Sequence, residues 1–134
     1  MKRSVMMIMV LVTLIAGPRA VHAQNKLDKL MTETTAEERA EMQTRNMTEK
    51  LSLRDDQKPT VQEINLRYAR KMQSVYNAGG GKLQRFRKMK GVSEEKDGEL
   101  KKVLDASQYA AYEKNKEEMK SAIKEKAKEK RDNQ

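Results

Sequence analysis

Apolar positions recur at helical spacing along most of this chain. Val61, Ile64, Tyr68, Met72 and Val75 step by 3, 4, 4 and 3 residues, which lines one face of an α-helix. Pro59 just precedes the stripe and belongs in the first turn, where a missing N–H removes no helical bond. Upstream, Thr35-Ala36-Glu37-Glu38 reads as a capping box opening a helix to about Lys50, with Ala36, Ala40, Met47 and Leu51 along one side. Asn77-Ala78-Gly79-Gly80-Gly81 ends the Val61–Val75 helix in a flexible break. A short basic helix, Lys82 to Lys90, is predicted next, carrying Leu83, Phe86 and Met89 and closed by Gly91. Ser93 with Glu94 and Glu95 then caps a piece running through Leu100, Val103 and Leu104. Asp105 and Gln108 form a second capping box for a last helix with Tyr109, Tyr112, Met119 and Ile123, which fades into a charged end over residues 124–134. Residues 24–34 are polar with little periodicity and read as a flexible N-terminal segment.

The start of the chain has a different character. Lys2 and Arg3 precede an apolar run from Val5 to Ala16, followed by Gly17-Pro18 and by Val21-His22-Ala23. A charged start, a short apolar middle and small residues at −3 and −1 describe a secretory signal, residues 1–23, cleaved after Ala23. The run is well short of the roughly 20 residues that span a bilayer. An exported protein is therefore expected, periplasmic where the cell has two membranes.

Composition narrows the chemistry. With Lys2, Arg3 and Arg19 set aside, 26 basic side chains remain against 20 acidic ones, and the single histidine, His22, leaves with the signal. Without Cys or His, the remaining chain has no thiol nucleophile, no histidine base and no Cys/His metal site. Asp55 and Asp56 sit among Lys and Arg on predicted exposed turns, where nothing shifts their protonation. The sequence thus points away from an enzyme, a cofactor or a bound metal. Glu, Lys, Arg, Gln, Ala and Met dominate, all good helix formers, while large aliphatics are sparse. An all-α, thin, extended protein follows, whose missing burial an oligomer would supply.

One unit occurs twice. Leu53 and Gln57 precede Leu104 and Gln108 by 51 residues, and the same offset carries Val61, Tyr68 and Met72 onto Tyr112, Met119 and Ile123, while Ile64 lands on Asn115. Asp105 is suited to cap the helix after the second copy; in the first copy Asp55 or Asp56 is the candidate cap.

The two turns Leu53-Arg54-Asp55-Asp56-Gln57 and Leu104-Asp105-Ala106-Ser107-Gln108 resemble the Leu-Thr-x-x-Gln pentapeptide that occurs twice in the Spy/CpxP family of periplasmic stress proteins. Both keep Leu and Gln and lack the Thr. The resemblance spans residues 35–123. It implies a four-helix, hairpin-like arrangement assembled as an antiparallel, cradle-shaped homodimer. It also implies Leu53, Gln57, Leu104, Asp105 and Gln108 as structural caps, and one of two functions. The first is an ATP-independent holdase binding unfolded or partly folded envelope proteins. The alternative is a regulator docking onto one envelope stress-signalling partner. Relatives that bind metal do so through histidine, which the chain lacks beyond His22.

Within that frame, Met47, Met72 and Met119 lie on the stripes and read as core. Met42 and Met89 lie off them and are candidates for a client surface, methionine being soft and adaptable. Arg85, Phe86, Arg87 and Lys88 complete the candidate set, the cations attracting from a distance and the ring gripping. Nucleic acid is not an expected partner despite a pI near 9.7: aromatics for stacking are few and no motif is present. Contact of the same helix with a membrane surface has no separate support.

Overall fold

The computed structural model describes residues 20–132; the expected signal, apart from its last four residues, lies outside the described residues. Among the described residues there are five helices and no strand: α1 (Ala20–Glu33), α2 (Ala36–Leu51), α3 (Lys58–Asn77), α4 (Lys82–Val103) and α5 (Ala106–Asp132). The chain is all-α, as its periodicity predicts, with one helix more than the four that the Spy/CpxP resemblance implies.

The extra helix is α1, where a flexible segment was expected. Its apolar residues, Leu27, Leu30 and Met31, have the i, i+3, i+4 spacing of one helical face, diluted by Lys26, Asp28 and Lys29. Leu27 and Met31 are buried and Leu30 is half-buried. At the next junction Thr35 caps α2 as expected: its hydroxyl accepts from the Glu38 N–H at 3.1 Å, and the Glu38 carboxylate accepts from the Thr35 N–H at 2.8 Å. Ser52 ends α2 in a left-handed conformation at φ 50°.

The first motif copy differs from expectation in its cap. Neither Asp55 nor Asp56 caps α3: Asp55 accepts from the Lys58 ammonium and Asp56 from the Arg54 guanidinium. Gln57 occupies the cap position, and Pro59 lies in the first turn. Asp105 does cap α5, its Oδ1 accepting from the Gln108 N–H at 2.9 Å while Gln108 Oε1 accepts from the Asp105 N–H at 3.0 Å.

A second correction concerns residues 82–103, expected as two helical pieces divided at Gly91. They form one helix. Ser93, the expected cap, is buried inside it, and Gly91 and Gly98 are ordinary helical positions with open space where a Cβ would stand. A helical glycine costs only about 1 kcal/mol relative to alanine, which the packing of Met89 and Leu100 on either side outweighs. The true break is at the triple glycine, where Gly79 and Gly80 adopt φ 68° and 93°, a region glycine enters without penalty.

α2 and α3 run antiparallel, since the bonds Arg39–Gln73 and Thr44–Asn65 pair rising with falling numbers. The same holds for α3 and α4, through Lys71–Glu95 and Arg67–Glu99. α5 packs against α2 and is tied to α4 by side chains, the Tyr112 hydroxyl donating to Asp97 at 2.7 Å and Lys116 pairing with the same carboxylate.

The core is not continuous. One cluster joins Met47, Leu51, Leu53, Val61, Ile64, Tyr68, Leu100, Leu104 and Tyr112 at the motif end. Another joins Leu27, Met31, Met72 and Met89 at the opposite end, and the two share only the half-buried Val92. Between them lie polar side chains at core positions. Lys96, 8% exposed, donates to Gln43 Oε1 at 2.6 Å, and Ser93 is buried one turn before it on α4; Asn65, also buried, donates to Thr44 Oγ1 and Met47 Sδ beside the motif-end cluster.

Candidate functional site

The two motif copies meet face to face. Gln57 Nε2 donates to Gln108 Oε1 at 2.7 Å, and Gln108 Nε2 donates to Gln57 Oε1 at 2.9 Å. Each amide also reaches the backbone carbonyl just before the other copy's leucine: Gln57 to Val103 at 3.0 Å and Gln108 to Ser52 at 3.4 Å. These contacts are related by the 51-residue offset, so the repeat is a local twofold in three dimensions. Leu53 and Leu104 pack into one cluster beneath it. Gln57 and Gln108 thus form a clamp with their polar atoms turned inward on one another, while Asp105 caps α5 from an exposed position beside Arg54; the arrangement is built to hold helices together and offers little to a ligand.

The opposite end has the reverse character. Between Glu63 and Glu94 the chain contains no acidic residue, but it does contain Arg67, Arg70, Lys71, Lys82, Arg85, Arg87, Lys88 and Lys90. Arg67, Arg70, Lys71 and Lys90 are each paired with a glutamate. Lys82, Arg85, Arg87 and Lys88 have no ion pair among the described residues. Arg85 lies over the Tyr76 ring at 5.6 Å. Residues 77–84 are exposed without interruption, so the α3–α4 turn projects. Leu83, 55% exposed, stands on this projection, and Phe86, half-buried, follows one turn on. Leu83 is a member of the patch that its place on the basic helix foreshadowed but that the candidate set omitted.

The other candidates divide. Arg87 and Lys88 are exposed and Arg85 is half-buried, all on the projecting end. Met42 is half-buried on α2, away from this patch in sequence and element. Met89 is not on the surface: it is 5% exposed, packed with Leu27, Met31 and Met72. It was expected outside because α4 was cut at Gly91; in the continuous helix it falls in line with Ser93, Lys96 and Leu100 on the inner face.

Two buried cations escaped the sequence reading because lysine and arginine are rarely found inside. Burial pulls Lys96 down to about 8, while neighbouring Asp97 pulls it up and Lys116 pushes it further down. Arg39 has no exposed surface, and burial lowers its pKa as well. Its guanidinium donates to the Thr34 carbonyl and to Gln73 Oε1, both at 2.6 Å, and so ties the α1–α2 elbow to α3. On the same side of the molecule the Tyr76 hydroxyl donates to Asp28 at 2.9 Å, and that bond raises its pKa. No group of three or more carboxylates or histidines suited to a metal ion occurs among the described residues, and no described helix is long and apolar enough to cross a membrane.

Neither the curated proteins nor the solved structures contain a match to this chain. Residues 22–112 match a domain of unknown function, DUF4890, a span from α1 to Tyr112, the last residue of the motif-end core. That span covers well over half of the sequence, and the chain belongs to the DUF4890 family.

Proposed function

We propose that this protein is an ATP-independent holdase of the cell envelope, binding unfolded or partly folded proteins and catalysing no reaction. The observation that carries the reading is the projecting end of α4, where Lys82, Arg85, Arg87 and Lys88 have no acidic partner among the described residues and lie beside exposed Leu83 and half-buried Phe86. Unpaired cations attract an acidic or mixed-charge chain at a distance, and aliphatic and aromatic surface then gives weak, shape-tolerant contact. With no energy source for release, binding must be loose and reversible, and it must weaken with salt. The exported location rests on the charged, apolar and small-residue pattern of residues 1–23. The Spy/CpxP resemblance of the two Leu-x-x-x-Gln turns supports the same function and adds a cradle-shaped homodimer of hairpin-like protomers, without metal or other cofactor. The contrasting reading, a regulator docked on a single envelope partner, shares the fold and the compartment.

Light scattering separates the two. Two unrelated denatured proteins are diluted into buffer with and without the exported form of the protein, in the absence of ATP, at low and moderate salt. A holdase suppresses aggregation of both, less so at moderate salt. No suppression at several-fold excess rules out the holdase and leaves the single-partner regulator.

A further inference from the structure

We infer that the methionine-bearing floor beneath α1, formed by Met72, Val75, Tyr76, Met89 and Val92, is a groove for an apolar client segment, and that α1 is its resting occupant. The inference rests on the holdase reading and names the site and its regulation. α1 lies on this floor through Leu27, Leu30 and Met31, and the Tyr76 hydroxyl of the floor donates to its Asp28. It therefore displays the chemistry of what fits: a helical segment with Leu or Met at i, i+3 and i+4 and an acidic residue among them. Met72 and Met89, unbranched and polarisable, adapt to different apolar shapes better than branched side chains do. Arg85, over the Tyr76 ring, and Lys88 bring the cationic end of α4 to the same neighbourhood, so a client drawn to the projecting turn arrives beside the groove.

Three features let α1 lift without unfolding the rest. The floor belongs to its own cluster, joined to the motif-end core only through Val92 and separated from it by the Lys96–Gln43 layer. The Gln57–Gln108 clamp holds the far end independently of α1. The elbow at Thr34 and Thr35 is fixed from below by Arg39 and by the α2 capping box, which gives α1 a pivot. Removing α1 would expose Met72 and Met89 while leaving both of these anchors in place.

Amide hydrogen exchange on the exported form, with and without a reduced, carboxymethylated protein as unfolded probe, tests this alongside the scattering assay. Addition of the probe is expected to speed exchange at residues 27–33 several-fold. Tyr76→Phe, which removes the hydroxyl bound by Asp28, is expected to speed the same amides without probe and to raise client capture several-fold. Leu30→Ala, which trims α1 and leaves the floor untouched, is a second opening variant should the first not fold. Capture of the probe with unchanged exchange in α1 overturns the groove and leaves the holdase standing. So does faster exchange in either variant with no gain in capture. Absence of capture by every form, read directly from scattering, defeats the holdase reading and the groove with it.

Discussion

Gln57 and Gln108 are the side chains on which the motif end depends most. Each amide oxygen accepts from the other amide and from the N–H of its own motif's second residue, and each amide nitrogen donates twice. Deleting one leaves the other buried with lost partners, a cost of about 1–3 kcal/mol. Gln57→Ala and Gln108→Ala should therefore each lower stability by roughly 2 kcal/mol, and the double variant by clearly less than the sum. Urea denaturation of the four proteins reads the coupling, and simple additivity would show that the pair does not act as a unit. Lys96 works in the opposite sense. Its pKa is lowered to about 8 in the fold, so the folded state is penalised at neutral pH, fully below about pH 8, and the penalty fades as pH rises towards the unfolded value near 10.4. Tyr68, raised to about 12 mainly by burial, and Tyr112, also raised mainly by burial, contribute stability that is intact below pH 10 and lost above it. Between pH 7 and pH 9.5 the protein should gain about 2 kcal/mol from Lys96. In Lys96→Met that gain should vanish, and the variant should be more stable at pH 7 by roughly 1–3 kcal/mol. Urea titrations at the two pH values check both statements.

Among the elements, α4 best separates what could be read from sequence from what could not. Caps are local, depending on residues three apart, and the boxes at Thr35 and Asp105 were legible for that reason. So was the turn at Gly79–Gly81, because three glycines have no other common use. The continuity of α4 through Gly91 was not legible: whether a helical glycine ends a helix is decided by what Met89, Ser93 and Leu100 pack against, which is not local information. Substitutions distinguish the two kinds of glycine. Gly91→Ala and Gly98→Ala, with open space at the Cβ, should each raise stability by about 0.5–1 kcal/mol. Gly80→Ala should lower it, because φ is 93° and the new Cβ would stand 3.0 Å from Gln84 Oε1. Thermal melts of the three variants should move up, up and down; a loss at Gly91 would contradict the continuous helix. α1 was missed for a different reason: its stripe of Leu27, Leu30 and Met31 is short and interrupted by Lys26, Asp28 and Lys29, and its burial depends on α3 and α4.

At the scale of the molecule, the 51-residue repeat was visible in the sequence, but its meaning was not. Spacing alone places two glutamines in equivalent turns; only the fold brings those turns together. The polar layer at Lys96 and Gln43 was hidden altogether, because nothing in a sequence marks a lysine that packs inside. What results is a chain with two unlike ends. One is closed by a clamp whose two glutamine amides satisfy one another, and the other carries four cations that have no acidic partner among the described residues, beside Leu83 and Phe86. The holdase we propose relies on that asymmetry, and the test is to remove it. Lys82, Arg85, Arg87 and Lys88 are changed together to glutamine, and aggregation of two unrelated denatured proteins is followed by light scattering at low salt beside the unaltered protein. The variant is expected to keep its helical circular dichroism and to lose most of its protection of both clients, at low salt behaving as the unaltered protein does at moderate salt. Full protection of both clients by a folded variant would contradict it.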